Sequence, residues 1–98
     1  MTEQTFQRLH AIIEGRVQGV GFRYFVHESA ISTGITGWVR NRWDRTVEVV
    51  AEGEHDILKS FLAALNRGPR ASKVTNIKLD WQSATGEFND FRIRMTSI

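Results

Sequence analysis

The 98-residue sequence contains no cysteine, which excludes a disulfide framework, a thiol nucleophile and any cysteine-ligated metal. An excess of one charge is missing too. Thirteen lysines and arginines against 11 acids leave a net +2, too mild for a surface that binds nucleic acid as a polyelectrolyte. No apolar run approaches the length of a membrane span, and Met1 to Gln7 is polar with no apolar signal core. A cytoplasmic protein with no membrane and no nucleic-acid partner is therefore expected. Repeats, linkers and low-complexity stretches are absent, so residues 1–98 read as one domain, with 1–7 as a flexible N-terminal arm.

Metal and covalent chemistry also lack their parts. His10, His27 and His55 share no ligand spacing with one another or with nearby acids, and each reads as structural or solvent-facing. Asp44, Asp56, Asp80 and Asp90 are scattered, with no paired-aspartate motif for a phospho-aspartyl intermediate. Neither a metal nor a cofactor is expected. What is present is ordinary globular composition, 41% hydrophobic and 24% charged, enough for one modest core.

Apolar periodicity divides the chain. Leu9 to Ile13 is a short apolar run ending at Gly15, which predicts a buried strand. Phe22, Phe25, Val26 and Ala30 then recur at helical spacing, with Gly34 as a left-handed terminator. Gly37 to Asn41 and Thr46 to Glu52 predict two strands joined by a hairpin over Arg42 to Arg45, with Val47, Val49 and Ala51 on one face. Gly53 is expected to open a second helix, with Glu54 and Asp56 in its first turn and a stripe of Ile57, Leu58, Phe61, Ala64 and Leu65. Gly68-Pro69 ends that helix. A fourth strand turns Ile77, Leu79 and Trp81 inward, and a closing strand does so with Phe91, Ile93 and Met95. The order β-α-β-β-α-β plus a terminal strand predicts an α+β, ferredoxin-like sandwich: an antiparallel sheet with both helices on one face. Trp38 and Trp81 read as sheet packing, whereas Trp43 falls in the hairpin.

The most unusual stretch is Gly15-Arg16-Val17-Gln18-Gly19-Val20-Gly21-Phe22-Arg23, three glycines in seven residues between a strand and a helix. Glycine lets successive N–H groups turn toward one point, and such a run entering a helix N-terminus binds anions. Arg23 lies in the first helical turn, where a cation is locally unfavourable. A bound phosphate would compensate it. The rival reading is a glycine-rich turn that merely joins strand to helix. Neither common nucleotide fingerprint fits: GxxxxGK[ST] is absent, and Tyr24 stands at the third glycine position of GxGxxG.

Gly15-x-Val17-Gln18-Gly19-Val20-x-Phe22-Arg23 resembles the first signature of the acylphosphatases, and Gly37-Trp38-Val39-Arg40-Asn41, with Val47 and Gly53 beyond, resembles the second. Gly68-Pro69-x-x-Ser72-x-Val74 and the strand around Phe91 are similar as well, so the likeness runs from Leu9 to Met95. The resemblance implies the same sandwich and a small monomeric hydrolase of acyl phosphates, with phosphate or sulfate as product or inhibitor. It implies that Arg23 binds phosphate, that Asn41 orients the attacking water, and that the backbone of Gly15, Arg16, Val17, Gln18, Gly19, Val20, Gly21 and Phe22 forms the cradle. The family usually has glycine where Arg45 follows Asp44. A non-glycine residue at positive φ costs on the order of 1 kcal/mol, which leaves another turn geometry open there.

The implied chemistry is self-consistent. A carboxylate leaving group, with a conjugate-acid pKa of about 4, needs no general acid. Amide N–H groups and a guanidinium can stabilise the charge of a loose transition state without a metal. Asn41 is no base, but its oxygen can hold a water in line. Arg16, Arg40, Arg42 and Arg45 could steer a dianion toward the loop, although solvated arginines are the plainer reading for most of them. Two alternatives stand. One is an acylphosphatase-like domain handling carbamoyl phosphate within a larger protein, against which a chain of 98 residues carrying the whole pattern argues. The other is an RNA-binding module of the same topology, which would need exposed aromatics on the sheet.

Overall fold

The computed structural model describes residues 5–96. Its elements are β1 (Phe6–Arg16), α1 (Phe22–Ile31), β2 (Thr36–Asn41), β3 (Val47–Glu54), α2 (His55–Arg67), β4 (Lys73–Ser83) and β5 (Phe91–Ile93). The sheet order is β4-β1-β3-β2-β5, the ferredoxin-like arrangement with one strand added at an edge. The first four strands pair antiparallel, but β5 runs parallel to β2, so the sheet is mixed rather than antiparallel throughout. The long 84–90 connection delivers β5 beside β2 in the same direction, which no short hairpin could do.

Alternation explains the core. Leu9, Ala11 and Ile13 of β1 and Val47, Val49 and Ala51 of β3 are fully buried, with Val39 of β2 beside them. Phe22, Val26 and Ala30 of α1 and Leu58, Phe61 and Leu65 of α2 close that face. Phe61 meets Phe91 edge-on, with ring centroids 6.2 Å apart, which fastens β5 under the helices. Helix α1 ends as expected. Gly34 takes φ 75°, and the next N–H, of Ile35, donates back to Ala30 O at 3.0 Å.

Several boundaries differ from the sequence expectation. Phe6 and Gln7 pair with Glu54 and Gly53, so they are strand residues and not part of an arm; residues 1–4 lie outside the described residues. Gly53 therefore belongs to β3, and α2 starts at His55 after an extended Glu54. The acids at 54 and 56 do mark a helix start, but the pairing with β1 continues up to that point. Leu79 is 39% exposed, Ile93 43% and Met95 88%, and β5 ends at Ile93, so Met95 is not a strand residue. Both edges of the sheet reach past the two helices, so inward alternation there does not mean burial.

On the face away from the helices, Trp38 carries two guanidiniums, Arg40 at 4.7 Å and Arg94 at 4.9 Å from its ring centroid. Arg40 also reaches Glu48, which accepts a hydrogen bond from its Nε at 2.8 Å and contacts His10 Nε2 at 2.7 Å. Trp38 thus packs against two cations. On the helix side, Trp81 is half-buried, its ring 4.9 Å from that of His55.

Glu52, only 3% exposed, fastens the 84–90 connection to the sheet. It accepts from Arg8 Nε at 2.8 Å, from the Thr85 N–H at 2.9 Å and from the Gly86 N–H at 2.9 Å. Burial pushes its carboxyl pKa up, but the hydrogen bonds from Thr85, Arg8 and Gly86 outweigh burial and hold it below the ordinary range. A depressed folded-state pKa means that this stabilisation is complete above the unfolded value of about 4.3 and is lost as pH falls through the folded value. Glu52→Gln should cost about 2–3 kcal/mol at pH 7 by leaving Arg8 without its buried partner. Urea titrations from pH 7 to pH 3 should then find a flatter acid limb for the variant than for the unsubstituted protein. Parallel limbs would contradict this role for Glu52.

Candidate active site

The loop between β1 and α1 is shaped by what its side chains cannot do. At Gly15 the β1–β4 register shifts and φ is 123°; a Cβ there would run into the Lys73 carbonyl oxygen. Gly19 and Gly21 have φ of 73° and 76° with open space where a Cβ would lie, so backbone torsion alone favours glycine at these two positions. Between them the anchors are buried. Val17 and Phe22 are each 1% exposed, and Val20 packs partly against the core.

Gln18 fixes the loop from the other side. Its Nε2 donates to Arg42 O at 2.8 Å and to Thr46 O at 2.9 Å, bridging the two ends of the β2–β3 hairpin. One amide group thereby ties the glycine loop to the turn that follows Asn41. Sequence reasoning assigned only the backbone of Gln18 to the site. Its side chain positions the site's two halves relative to each other.

The N-terminus of α1 has neither a side-chain cap nor an acid in its first turn, and Gly21 is its left-handed N-cap. Phe25 N–H donates to Gly21 O at 3.0 Å. The N–H groups from Val17 to Tyr24 form no hydrogen bond to any described residue. Arg23 lies in that turn, and no carboxylate pairs with it among the described residues. The combination concentrates positive potential and unsatisfied donors at one point.

Asn41 closes the arrangement. It is the last residue of β2, two positions beyond the buried Val39 and therefore on the helix side of the sheet. Its Oδ1 is buried without a hydrogen-bond partner. A cavity of about 250 Å³ is lined by Arg23, Asn41, Gly19, Gly21, Val17 and Phe22, together with Tyr24 and Ile93. The structure thus brings Arg23 and Asn41 to one cavity across 18 residues of sequence. Gly15, Arg16 and Gln18 instead border an adjoining open cleft, with Arg45 on its far wall.

The other arginines divide. Arg40 is turned to the opposite face of the sheet by Glu48 and Trp38, which removes it from the site. Arg42 lies 3.8 Å from Asp44 Oδ2 within the hairpin. Among the described residues no group of three histidine, aspartate or glutamate side chains could hold one metal ion. His10 pairs with Glu48, His55 Nδ1 contacts Gln7 Oε1, and His27 lies against the Phe91 ring. Sequence reasoning missed Tyr24 and Ile93 in the cavity wall. For Tyr24 the signal was available, because it lies opposite Phe22 and Val26 on α1 and no core requires an aromatic there.

Residues 9–93 match the family model of the acylphosphatases. The chain belongs to the acylphosphatase family. The acylphosphatase of Salinibacter ruber is 45% identical over 94 residues, which cover 96% of this chain and 99% of that one. The crystal structure of acylphosphatase from Bacillus subtilis aligns with a TM-score of 0.87 at 42% identity, covering 90% of this chain and 98% of that one. Full-length HypF in a phosphate- and nucleotide-bound form aligns with a TM-score of 0.86 at 28% identity, covering 98% of this chain but only 13% of that one.

The hairpin departs from the usual residue choice for its turn. Arg45 keeps φ at 73°, so the left-handed turn persists without glycine. Arg42 N–H donates to Thr46 O at 2.9 Å, and Asp44 Oδ1 accepts from Thr46 N–H at 3.1 Å and from its Oγ1 at 2.6 Å. These bonds over-determine the turn and impose the conformation on Arg45. Arg45→Gly should therefore raise stability by about 0.5–1 kcal/mol, the left-handed strain relieved less the added chain entropy. A lowered urea midpoint would refute that. Gln18→Ala should cost about 1–2 kcal/mol. Gln18→Glu should cost more at pH 7, because a carboxylate would face two carbonyl oxygens, and should recover part of the loss below pH ~5. Equal stability of Gln18→Glu and the unsubstituted protein at pH 7 would dismiss the tether.

Proposed function

We propose that this chain hydrolyses acyl phosphates to carboxylate and inorganic phosphate by direct in-line attack of water, with no metal ion. The observation that carries the reading is the unpartnered, buried Asn41 Oδ1 on the same cavity as Arg23 and the unsatisfied N–H groups of the glycine loop. A buried carbonyl-type oxygen without a donor costs about 1–3 kcal/mol, and a water in the cavity supplies that donor. The phosphoryl group sits in the loop, its oxygens accepting from backbone N–H groups and from the Arg23 guanidinium. Asn41 Oδ1 accepts a hydrogen bond from the water, which turns a lone pair of the water oxygen toward phosphorus.

In the reaction the water oxygen forms a bond to phosphorus while the bond from phosphorus to the acyl oxygen breaks. The electron pair leaves on the carboxylate, which needs no acid because its conjugate acid has a pKa of about 4. The water's proton passes to the phosphate, so an acyl phosphate dianion and water give a carboxylate and dihydrogen phosphate. Charge spread over the equatorial oxygens is what the loop and Arg23 stabilise. The protein acts as a cytoplasmic monomer, with phosphate or sulfate competing at the loop. No helix among the described residues is long and apolar enough to cross a membrane. An RNA-binding role is not favoured, because Trp38 on the open face is already stacked with Arg40 and Arg94, which leaves Phe6 at the start of β1 as the exposed strand aromatic there.

Benzoyl phosphate hydrolysis measured in excess chelator tests the proposal. Arg23→Ala should lower kcat/KM on the order of 10³-fold or more. Asn41→Ala should lower kcat on the order of 10²-fold with little change in KM. Undiminished turnover by the Arg23 variant would sink the site assignment, and no turnover by the unsubstituted chain would sink the activity.

A further inference from the structure

The cavity wall holds two large apolar side chains that the fold does not need. Tyr24 is 66% exposed and Ile93 is 43% exposed, yet both line the 250 Å³ cavity beside Arg23 and Asn41. On α1, position 24 falls opposite the buried stripe of Phe22, Val26 and Ala30, where a polar residue would serve the helix better. On β5, Ile93 follows the buried Phe91 on the same face, in register with Val39, and emerges at the end of α1. The polar half of the cavity, made of loop N–H groups, guanidinium and carboxamide, matches a phosphoryl group and a water. Nothing in a phosphate or a water matches the apolar half.

We infer that Tyr24 and Ile93 form the subsite for the acyl group and select acyl phosphates whose acyl part is aromatic or otherwise large and apolar over small polar ones. The inference rests on the hydrolase reading above and names its substrate class. A planar aromatic acyl group can lie on the Tyr24 ring and against Ile93, burying apolar surface that acetyl or carbamoyl groups do not have. Neither residue takes part in bond making. Their effect falls on how well one acyl group is held relative to another.

The test is the ratio of kcat/KM for benzoyl phosphate to that for acetyl phosphate. It should be at least about tenfold in the unsubstituted protein and fall by about tenfold in Tyr24→Ala, mainly through KM for benzoyl phosphate. Tyr24→Phe, which keeps the ring, should preserve the ratio. Ile93→Ala should lower it by several-fold. Leu79→Ala, an exposed apolar residue on the far edge strand, serves as the control and should leave the ratio intact. The inhibition constant of inorganic phosphate should stay constant across the series, because the acyl subsite does not touch phosphate. A ratio unmoved by both Tyr24→Ala and Ile93→Ala overturns the subsite while leaving the hydrolase reading standing. Absence of hydrolysis of either substrate by the unsubstituted protein overturns both.

Discussion

A single side-chain amide holds the two halves of this molecule's cavity together. Gln18 reaches from the glycine loop to the carbonyls of Arg42 and Thr46, the first and last hydrogen-bonding residues of the β2–β3 turn. The loop leaves β1 and the hairpin joins β2 to β3, and β1 and β2 are separated by β3 in the sheet. Nothing in the strand pairing itself would fix the height of the loop above Asn41. The core anchors Val17 and Phe22 set the loop's depth, and Gln18 sets its lateral position. With both, a donor-rich backbone and an acceptor oxygen face each other across one small cavity.

That cavity is costly to the free protein. It leaves a run of N–H groups, a cation in a helix first turn and a buried amide oxygen without protein partners. Each departs from what a stable fold would choose, and together they support the proposal that an anion and a water bind there. The strain at Arg45 belongs to the same neighbourhood, held by the bonds around Asp44 and Thr46. Away from the cavity, His27 Nδ1 is the other buried side-chain atom without a hydrogen bond among the described residues, whereas the most buried carboxylates are well satisfied. Glu52, more deeply buried than any other charged residue described, has three strong donors, and Glu48 is shared between Arg40 and His10.

The ferredoxin-like order and the helix faces were legible because periodicity reports burial directly. Leu9, Ala11 and Ile13, or Phe22, Val26 and Ala30, alternate or recur as a covered face must. Where the reading slipped, burial and periodicity parted company. Leu79 continues an inward pattern at an edge that α2 only partly covers, Met95 lies past the end of β5, and Gly53 reads as a helix opener although β1 pairs with it. The direction of β5 carries no local signal at all, since a parallel and an antiparallel strand of three residues look the same in sequence. In the site, the glycine loop and Arg23 announced themselves by breaking local rules. Tyr24 and Ile93 broke weaker ones, an aromatic on a solvent-facing helical position and an isoleucine at a sheet edge.

From the sequence by itself follow the family, the order of elements and the chemical type of the loop. Glycine spacing, alternation and helical recurrence are local properties, set by torsion and by which face meets water. Tertiary structure alone decided that Asn41 and Arg23 share a cavity, that the Gln18 side chain spans loop and hairpin, and that Arg40 turns away to Glu48 and Trp38. Those outcomes depend on which strand lies beside which and how far each helix reaches. They arise from packing between segments distant in the chain, a quantity that no stretch of residues encodes alone.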